Sequence, residues 1–261
     1  MRDAVMADTL RRLALEAGAR ILEVYGQDDL DVESKADDSP VTAADLAADR
    51  VICAGLEAAY PRIRIVTEER ARSHSAERGA HFLVDPLDGT KEFIRRRGEF
   101  TVNIAFIEDG APVAGVVYAP AIGRLFRTEA GGGAVEEAVV EGAAGAPRPI
   151  SAATADNAAL RAVASKSHRD AETDALLAAY AVSEIKSAGS SLKFCLLAAG
   201  EADLYPRMGP TMEWDTAAGQ AVLEAAGGAV LRLPERTPLR YGASGRRNPA
   251  FLAVGRGVAL R

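Results

Sequence analysis

Cysteine is almost absent. Cys53 and Cys195 are the only two in 261 residues, and neither belongs to a Cys-x-x-Cys pair. That argues against a disulfide framework or a cysteine-built zinc site and fits a reducing cytoplasm. An excess of positive charge is absent too: 31 Lys and Arg against 37 Asp and Glu leave a net charge of −6. No global field therefore favours nucleic acid or an acidic membrane. An anionic substrate must be held by local cations or by metals. No run approaches the ~20 uninterrupted apolar residues of a spanning helix. The first residues, Met1–Arg12, mix Arg and Asp without an apolar core, so no signal peptide is expected. The expected location is cytoplasmic. Peripheral attachment to the cytoplasmic side of the inner membrane stays open, as does a homodimer.

What is present is an ordinary globular composition, 48% hydrophobic and 26% charged, long enough for one large domain or two halves. Met6, Leu10, Leu13, Ala17, Ile21 and Val24 recur at helical spacing and predict a helix over Asp3–Tyr25. Asp31–Lys35 reads as a strand. Thr42 reads as an N-cap with Asp45 in the place of the capping-box Glu, opening a helix that buries Leu46, Val51, Ile52 and Leu56. Taken alone, Asp45 is a capping carboxylate and Lys35 a solvated lysine. Ile63–Thr67 alternates towards a strand ending at Glu68-Glu69, followed by a polar loop over Arg70–Gly79. Thr101–Ile107, Pro112–Tyr118 and Arg124–Thr128 predict an antiparallel meander. Gly131–Pro149, rich in Gly, Ala and Glu, reads as a boundary between halves, 1–145 and 146–261. Beyond it strand and helix alternate, as in an α/β half.

The chain is organised around Val84-Asp85-Pro86-Leu87-Asp88-Gly89-Thr90-Lys91-Glu92-Phe93. His81–Val84 reads as a buried strand, which Pro86 is expected to end because it has no N–H for the ladder. Asp85 and Asp88 lie across a turn at its carboxyl end. Gly89 permits a tight backbone and Thr90 opens a helix, a start whose free N–H groups suit phosphate. Two carboxylates beside a phosphate repel it unless divalent cations lie between. Glu68 and Asp215, each at a strand end or helix start, complete a set of four carboxylates with no adjacent His or Cys. An all-oxygen set of this kind favours Mg²⁺ over zinc.

With Glu68-Glu69 upstream and Trp214-Asp215-Thr216-Ala217-Ala218-Gly219 downstream, the Asp85–Thr90 motif resembles the inositol monophosphatase superfamily. Lys91-Glu92-Phe93, Gly98–Asn103, Gly189–Cys195 and Leu204-Tyr205-Pro206-Arg207 are most similar to its 3′(2′),5′-bisphosphate nucleotidase branch. The resemblance runs from about Lys35 to Gly228. It implies an α/β (α+β) fold, a layered α-β-α-β-α sandwich, with two or three Mg²⁺ ions. Glu68, Asp85 and the Leu87 carbonyl are implied to hold one ion; Asp85, Asp88 and Asp215 are implied to hold a second. Thr90 with Asp45 is implied to position and deprotonate the attacking water, with Gly89 and Thr90 giving backbone N–H groups to the phosphate. The implied substrate set is Lys35, Glu68, Asp88, Gly89, Thr90, His168, Ser190, Lys193, Arg207 and Asp215, with Ser190 and Ser191 alternatives for one contact.

The implied reaction is removal of the 3′-phosphate of adenosine 3′,5′-bisphosphate, giving AMP and phosphate, in sulfur assimilation or nucleotide recycling. Inhibition by Li⁺ is implied with it. An inositol or histidinol monophosphatase shares the metals with a different pocket. A non-enzymatic nucleotide-binding protein is the second rival, against which the intact carboxylate set argues.

Overall fold

The predicted stripe of Met6, Leu10, Leu13, Ala17 and Ile21 is the buried face of helix α1 (Ala4–Tyr25). The computed structural model describes residues 4–27, 33–34, 40–75, 79–165 and 170–261. Two residues of the expected early strand, Glu33–Ser34 (β1), pair with Pro40–Val41 (β2). Lys35 and His168 lie outside the described residues. Thr42 caps α2 (Ala43–Ala59), accepting the Ala44 N–H on Oγ1 at 3.2 Å. Leu46 is a correction: it is exposed, because the face packed inward runs through Ala44, Ala48, Ile52 and Leu56, four residues apart.

The first sheet starts with β3 (Arg64–Thr67) parallel to β4 (His81–Asp88). A short helix, α3 (Thr90–Ile94), follows β4, and the sheet then continues antiparallel through β5 (Thr101–Glu108), β6 (Ala111–Ala119), β7 (Arg124–Thr128) and β8 (Ala134–Val140). Strands β9 (Ala143–Ala144) and β10 (Arg148–Ile150) both pair with β8. Pro86 does not end its strand as expected. Pairing runs to Asp85↔Asn103, slips by one residue and resumes at Asp88↔Thr101. At such a bulge a proline forfeits no ladder bond.

The stretch Gly131–Pro149 is not a plain linker, since it carries β8, β9 and β10 of this sheet. The change of sheet falls at 151–159. The second sheet is built from β11 (Leu160–Ser165), α4 (Ala171–Ala178), β12 (Val182–Ala188), α5 (Leu192–Ala198), β13 (Leu204–Arg207), α6 (Glu213–Ala225), β14 (Ala229–Arg232), β15 (Thr237–Pro238) and β16 (Phe251–Val254). Its strand order is β12-β11-β13-β16-β14-β15, with β11 parallel to both neighbours.

Three hydrophobic layers hold the stack together. Leu10 and Leu13 of α1 and Ile52 of α2 pack on Phe82, Ile104 and Phe106 of the first sheet. The opposite face of that sheet, with Ala105, Ile107 and Val117, meets Phe194 of α5, Val222 of α6 and Phe251 of the second sheet. Leu177 of α4 covers Leu160, Leu204 and Leu252 on the far side. The result is the expected α-β-α-β-α sandwich. Both faces of β5 are covered, so from Ile104 to Ile107 its sequence reads as continuously apolar. Helix α6 lies between the sheets at close quarters: a Cβ on Gly115 of β6 would stand 2.9 Å from the Ala218 carbonyl oxygen. Small residues after Asp215 are thus a packing requirement that brings this helix start to the strand ends.

Candidate active site

Glu68 follows β3, Asp85 lies on β4 and Asp215 in the first turn of α6. One carboxylate oxygen from each lies within 4.8 Å of the others. Burial, then the charges of Glu68, Asp88 and Asp215, push the Asp85 carboxyl well above its usual range. Asp215 is likewise raised well above it, first by burial and then by Asp88. Asp85 and Asp215, held in low dielectric beside other carboxylates, resist ionising without a compensating cation. The donor set is oxygen alone, which fits a hard divalent ion such as Mg²⁺. These residues can hold a metal.

Asp88 stands just outside that trio. Its Oδ2 accepts the Ser191 N–H at 2.7 Å and the Asn103 side-chain amide at 3.3 Å. Burial raises its carboxyl, against the lowering effect of Lys193 and of these donors. Ser191 Oγ in turn donates to the Asp215 carbonyl at 2.5 Å and receives Asn103 Nδ2 at 2.9 Å. One serine therefore ties the first turn of α6 to the end of β4.

Asp45 proves to be both cap and site residue. Its Oδ2 accepts the Thr42 N–H at 2.8 Å and the Thr42 hydroxyl at 2.6 Å, while Oδ1 faces the Thr90 hydroxyl at 3.4 Å. The Leu87 carbonyl lies 3.4 Å from the same hydroxyl. Gly89 opens α3 with φ of 92°, and a Cβ there would press on the Glu99 carbonyl at 3.3 Å. Glycine is required at that turn.

Glu68, Asp88, Asp215 and Thr90 border a cleft of about 260 Å³ whose other side carries Ser190, Lys193 and Arg207. Lys193 is buried, and burial pushes its ammonium down to about 8. Its Nζ donates to the Ser190 carbonyl at 2.7 Å and the Ala188 carbonyl at 3.3 Å. Arg207 donates to the Pro210 carbonyl at 3.1 Å, and its buried Nε has no partner among the described residues. Ser190 Oγ is likewise unpartnered, on a residue with φ of 43°.

A fold and a site of this shape can be compared with known proteins. The chain matches the inositol monophosphatase family over residues 3–259. It belongs to that family. A 3′(2′),5′-bisphosphate nucleotidase CysQ from Escherichia coli is 47% identical over 231 residues, covering 86% of this chain and 89% of the relative. The protein of that name from Salmonella typhimurium is 46% identical over the same length, with the same coverage. Among solved structures, CysQ from Bacteroides thetaiotaomicron superposes with a TM-score of 0.82 at 38% identity, covering 97% of each chain. An inositol monophosphatase from Anabaena superposes with a TM-score of 0.74 at 25% identity, covering 97% of this chain and 91% of its own.

For this inositol monophosphatase family member, the structure brings together every described residue of the predicted site. The serines separate cleanly: Ser191 is buried and committed to Asp88 and Asp215, whereas Ser190 keeps a spare hydroxyl on the cleft. Asn103 went unsuspected as a site residue; its amide is polar inside a strand buried on both faces, the one local sign of a committed partner. Among the described residues no helix is long and apolar enough to cross a membrane.

Proposed function

We propose that this chain is a Mg²⁺-dependent phosphomonoester hydrolase that removes the 3′-phosphate of adenosine 3′,5′-bisphosphate, giving AMP and phosphate. The observation that carries the reading is the opposition, across one cleft, of the acidic cluster and the buried cations Lys193 and Arg207. Two anionic groups on one substrate match those two walls. The likeness to CysQ nucleotidases supports the same substrate.

In this reading Glu68, Asp85 and the Leu87 carbonyl would hold one Mg²⁺, and Asp85, Asp88 and Asp215 would hold a second. Bound there, the cations supply charge neutralisation for the phosphoryl oxygens and lower the pKa of water. The chain supplies the proton path. Thr90 Oγ1 accepts a proton from the attacking water while its own passes to Asp45 Oδ1, the carboxylate oxygen that faces it at 3.4 Å. Gly89 and Thr90 direct backbone N–H groups at the phosphate. Lys193 and Arg207 hold the non-reacting 5′-phosphate, Arg207 with a guanidinium nitrogen that has no partner among the described residues, and Ser190 Oγ adds a neutral donor. Binding there positions the 3′-phosphate over the carboxylates. Lys35 and His168 complete the proposed substrate set. Two buried, unpaired cysteines support the cytoplasm as its place of action.

The experiment is a Mg²⁺-dependent phosphate-release panel over adenosine 3′,5′-bisphosphate, adenosine 3′-monophosphate, inositol 1-phosphate and histidinol phosphate. The bisphosphate is expected to give the highest kcat/KM. Preference for inositol or histidinol phosphate would transfer the chain to that activity, and no release from any of them would leave a binding protein.

A further inference from the structure

Arg246 is fully buried, 2.9 Å from the equally buried Glu213. A buried ion pair is a poor stabiliser, because desolvation offsets most of its attraction and an apolar pair of the same volume often serves as well. Its presence calls for an account in geometry. The backbone of Arg246 has φ of 56°, a conformation that L residues rarely adopt.

The guanidinium touches three segments. Nη1 donates to Glu213 Oε2 and lies 3.4 Å from His81 Nε2, and Nη2 donates to the Ser75 carbonyl at 2.8 Å. Each segment leads to one member of the acidic cluster. Glu213 is two residues before Asp215, His81 is four before Asp85, and Ser75 ends the described loop that begins at Glu68. That loop folds back on its own strand, with the Thr67 N–H donating to Ser73 Oγ at 3.1 Å and His74 Nε2 lying 2.8 Å from the Thr67 carbonyl. The His74 ring also packs on Trp214, centroids 4.6 Å apart. On the other side Glu213 Oε1 accepts the N–H groups of Gly242 and Ala243, each at 2.7 Å. Asn248 Nδ2 grips the same helix start through the Met212 carbonyl at 2.7 Å and Thr216 Oγ1 at 3.0 Å.

We propose that Glu213 and Arg246 are positioning residues: their buried pair locks the Glu68 loop, the start of β4 and the first turn of α6 into one frame, and so sets the affinity of the acidic cluster for divalent cations. This rests on the cluster being the metal site. Partners bonded to the ligands themselves typically govern metal affinity by about 10- to 100-fold, and this pair acts on the three segments that carry the ligands. Coupling between sites is reciprocal, so a cation at the cluster must tighten the frame in return.

Trp214, the one tryptophan in the chain, makes the test direct, because it adjoins Asp215 and carries the loop on its ring. Mg²⁺ is titrated without substrate, reading Trp214 fluorescence, in wild type and in Arg246→Lys. Lysine keeps the charge beside Glu213 but has no fork to reach Ser75. The expected result is a half-saturating Mg²⁺ raised about 10-fold or more, with kcat at saturating Mg²⁺ within about threefold of wild type. Half-saturation within about twofold of wild type overturns the proposal. Hydrogen exchange on the wild-type protein decides independently should the variant not fold: Mg²⁺ is expected to slow exchange at Gly242 and Ala243, and unchanged rates overturn it. A wild type that binds no Mg²⁺ by calorimetry removes the metal reading itself, and this proposal with it.

Discussion

Asp45 Oδ1 lies 3.4 Å from Thr90 Oγ1, while the other oxygen of the same carboxylate caps the helix at Thr42. The two tasks can be separated by substitution. Asp45→Asn keeps an acceptor for the cap but no longer takes a proton from Thr90. It is expected to lower kcat by about 10²- to 10⁴-fold, the usual scale for general acid–base help. Stability should fall by no more than ~1 kcal/mol, the scale of a lost cap. A kcat near wild type, with only the melting temperature lowered, would return Asp45 to a purely structural role.

Asp88→Asn is expected to abolish nearly all turnover and to leave the fold intact. Its Oδ2 position still accepts the Ser191 and Asn103 donors as an amide oxygen, so the loss is one of charge beside the proposed second ion. Circular dichroism and phosphate release at saturating Mg²⁺ check both halves. Activity within a few-fold of wild type would rule out a two-ion site that includes Asp88.

Removing divalent ions should make stability depend on pH with a definite sign. Asp85 and Asp215 have folded-state pKa values raised above the ordinary aspartate range, so the metal-free fold binds their protons more tightly than the unfolded chain does. That contribution is present at acidic pH and is lost as pH rises through the raised values. With a chelator, the melting temperature is expected to fall as pH rises through the window above the ordinary aspartate range, and saturating Mg²⁺ to flatten the fall. At the acid end the trend reverses, because Glu137, held low by Arg11 and Arg127, and Asp203, held low by Arg161, lose their partners on protonation. A chelated protein with constant stability across that window would contradict the crowding of the cluster.

Lys193→Ala is expected to reduce kcat/KM for adenosine 3′,5′-bisphosphate by ~1.5–3 kcal/mol, the scale of a charged hydrogen bond. The loss should be much smaller for adenosine 3′-monophosphate, which lacks the second phosphate. Lys193 also anchors the Ser190 carbonyl, so any loss common to both substrates reports that anchoring and the difference reports the phosphate. In the free enzyme the ammonium is lost as pH rises through about 8, so kcat/KM for the bisphosphate should decline above that pH. Lys193→Arg should move the decline upward. Equal losses on the two substrates would detach Lys193 from the second phosphate.

Li⁺ is expected to inhibit turnover at Mg²⁺ levels that sustain it. A small, hard, singly charged cation suits oxygen donors but neutralises less phosphoryl charge. Initial rates across a Li⁺ series test this, and insensitivity would count against the cluster as the ion site.

Much of this was legible in the residues because its causes are local. The α1 stripe, the Thr42 cap and the Asp85–Thr90 turn each follow from spacing within a few positions. What was missed has distant causes. Asn103 and Ser191 are 88 positions apart, and Ser191 reaches Asp88 across 103. Strand β8 hid behind Glu136 and Glu137, acceptable in a buried strand because Arg124, Arg148, Arg11 and Arg127 pair with them. Arg246 carried no local sign of its role, since Glu213 is 33 positions away and Ser75 171. Leu46 failed for a simpler reason, since it falls off the four-residue spacing of Ala44, Ala48, Ile52 and Leu56 that sets the inward face of α2.

The one-residue slip in β4 makes catalytic competence a matter of counting. On an unbroken strand, positions three apart point to opposite faces, which would turn Asp88 away from Asp85. The extra residue at 85–88 brings both to one mouth. Inserting one more residue beside Pro86 would leave the helices and the pattern of β5 largely as they are and yield a folded protein with its second aspartate misdirected. Substituting Pro86 while keeping the length should be far milder. Here the spacing of the residues carries the chemistry, and their identity between the two aspartates matters less.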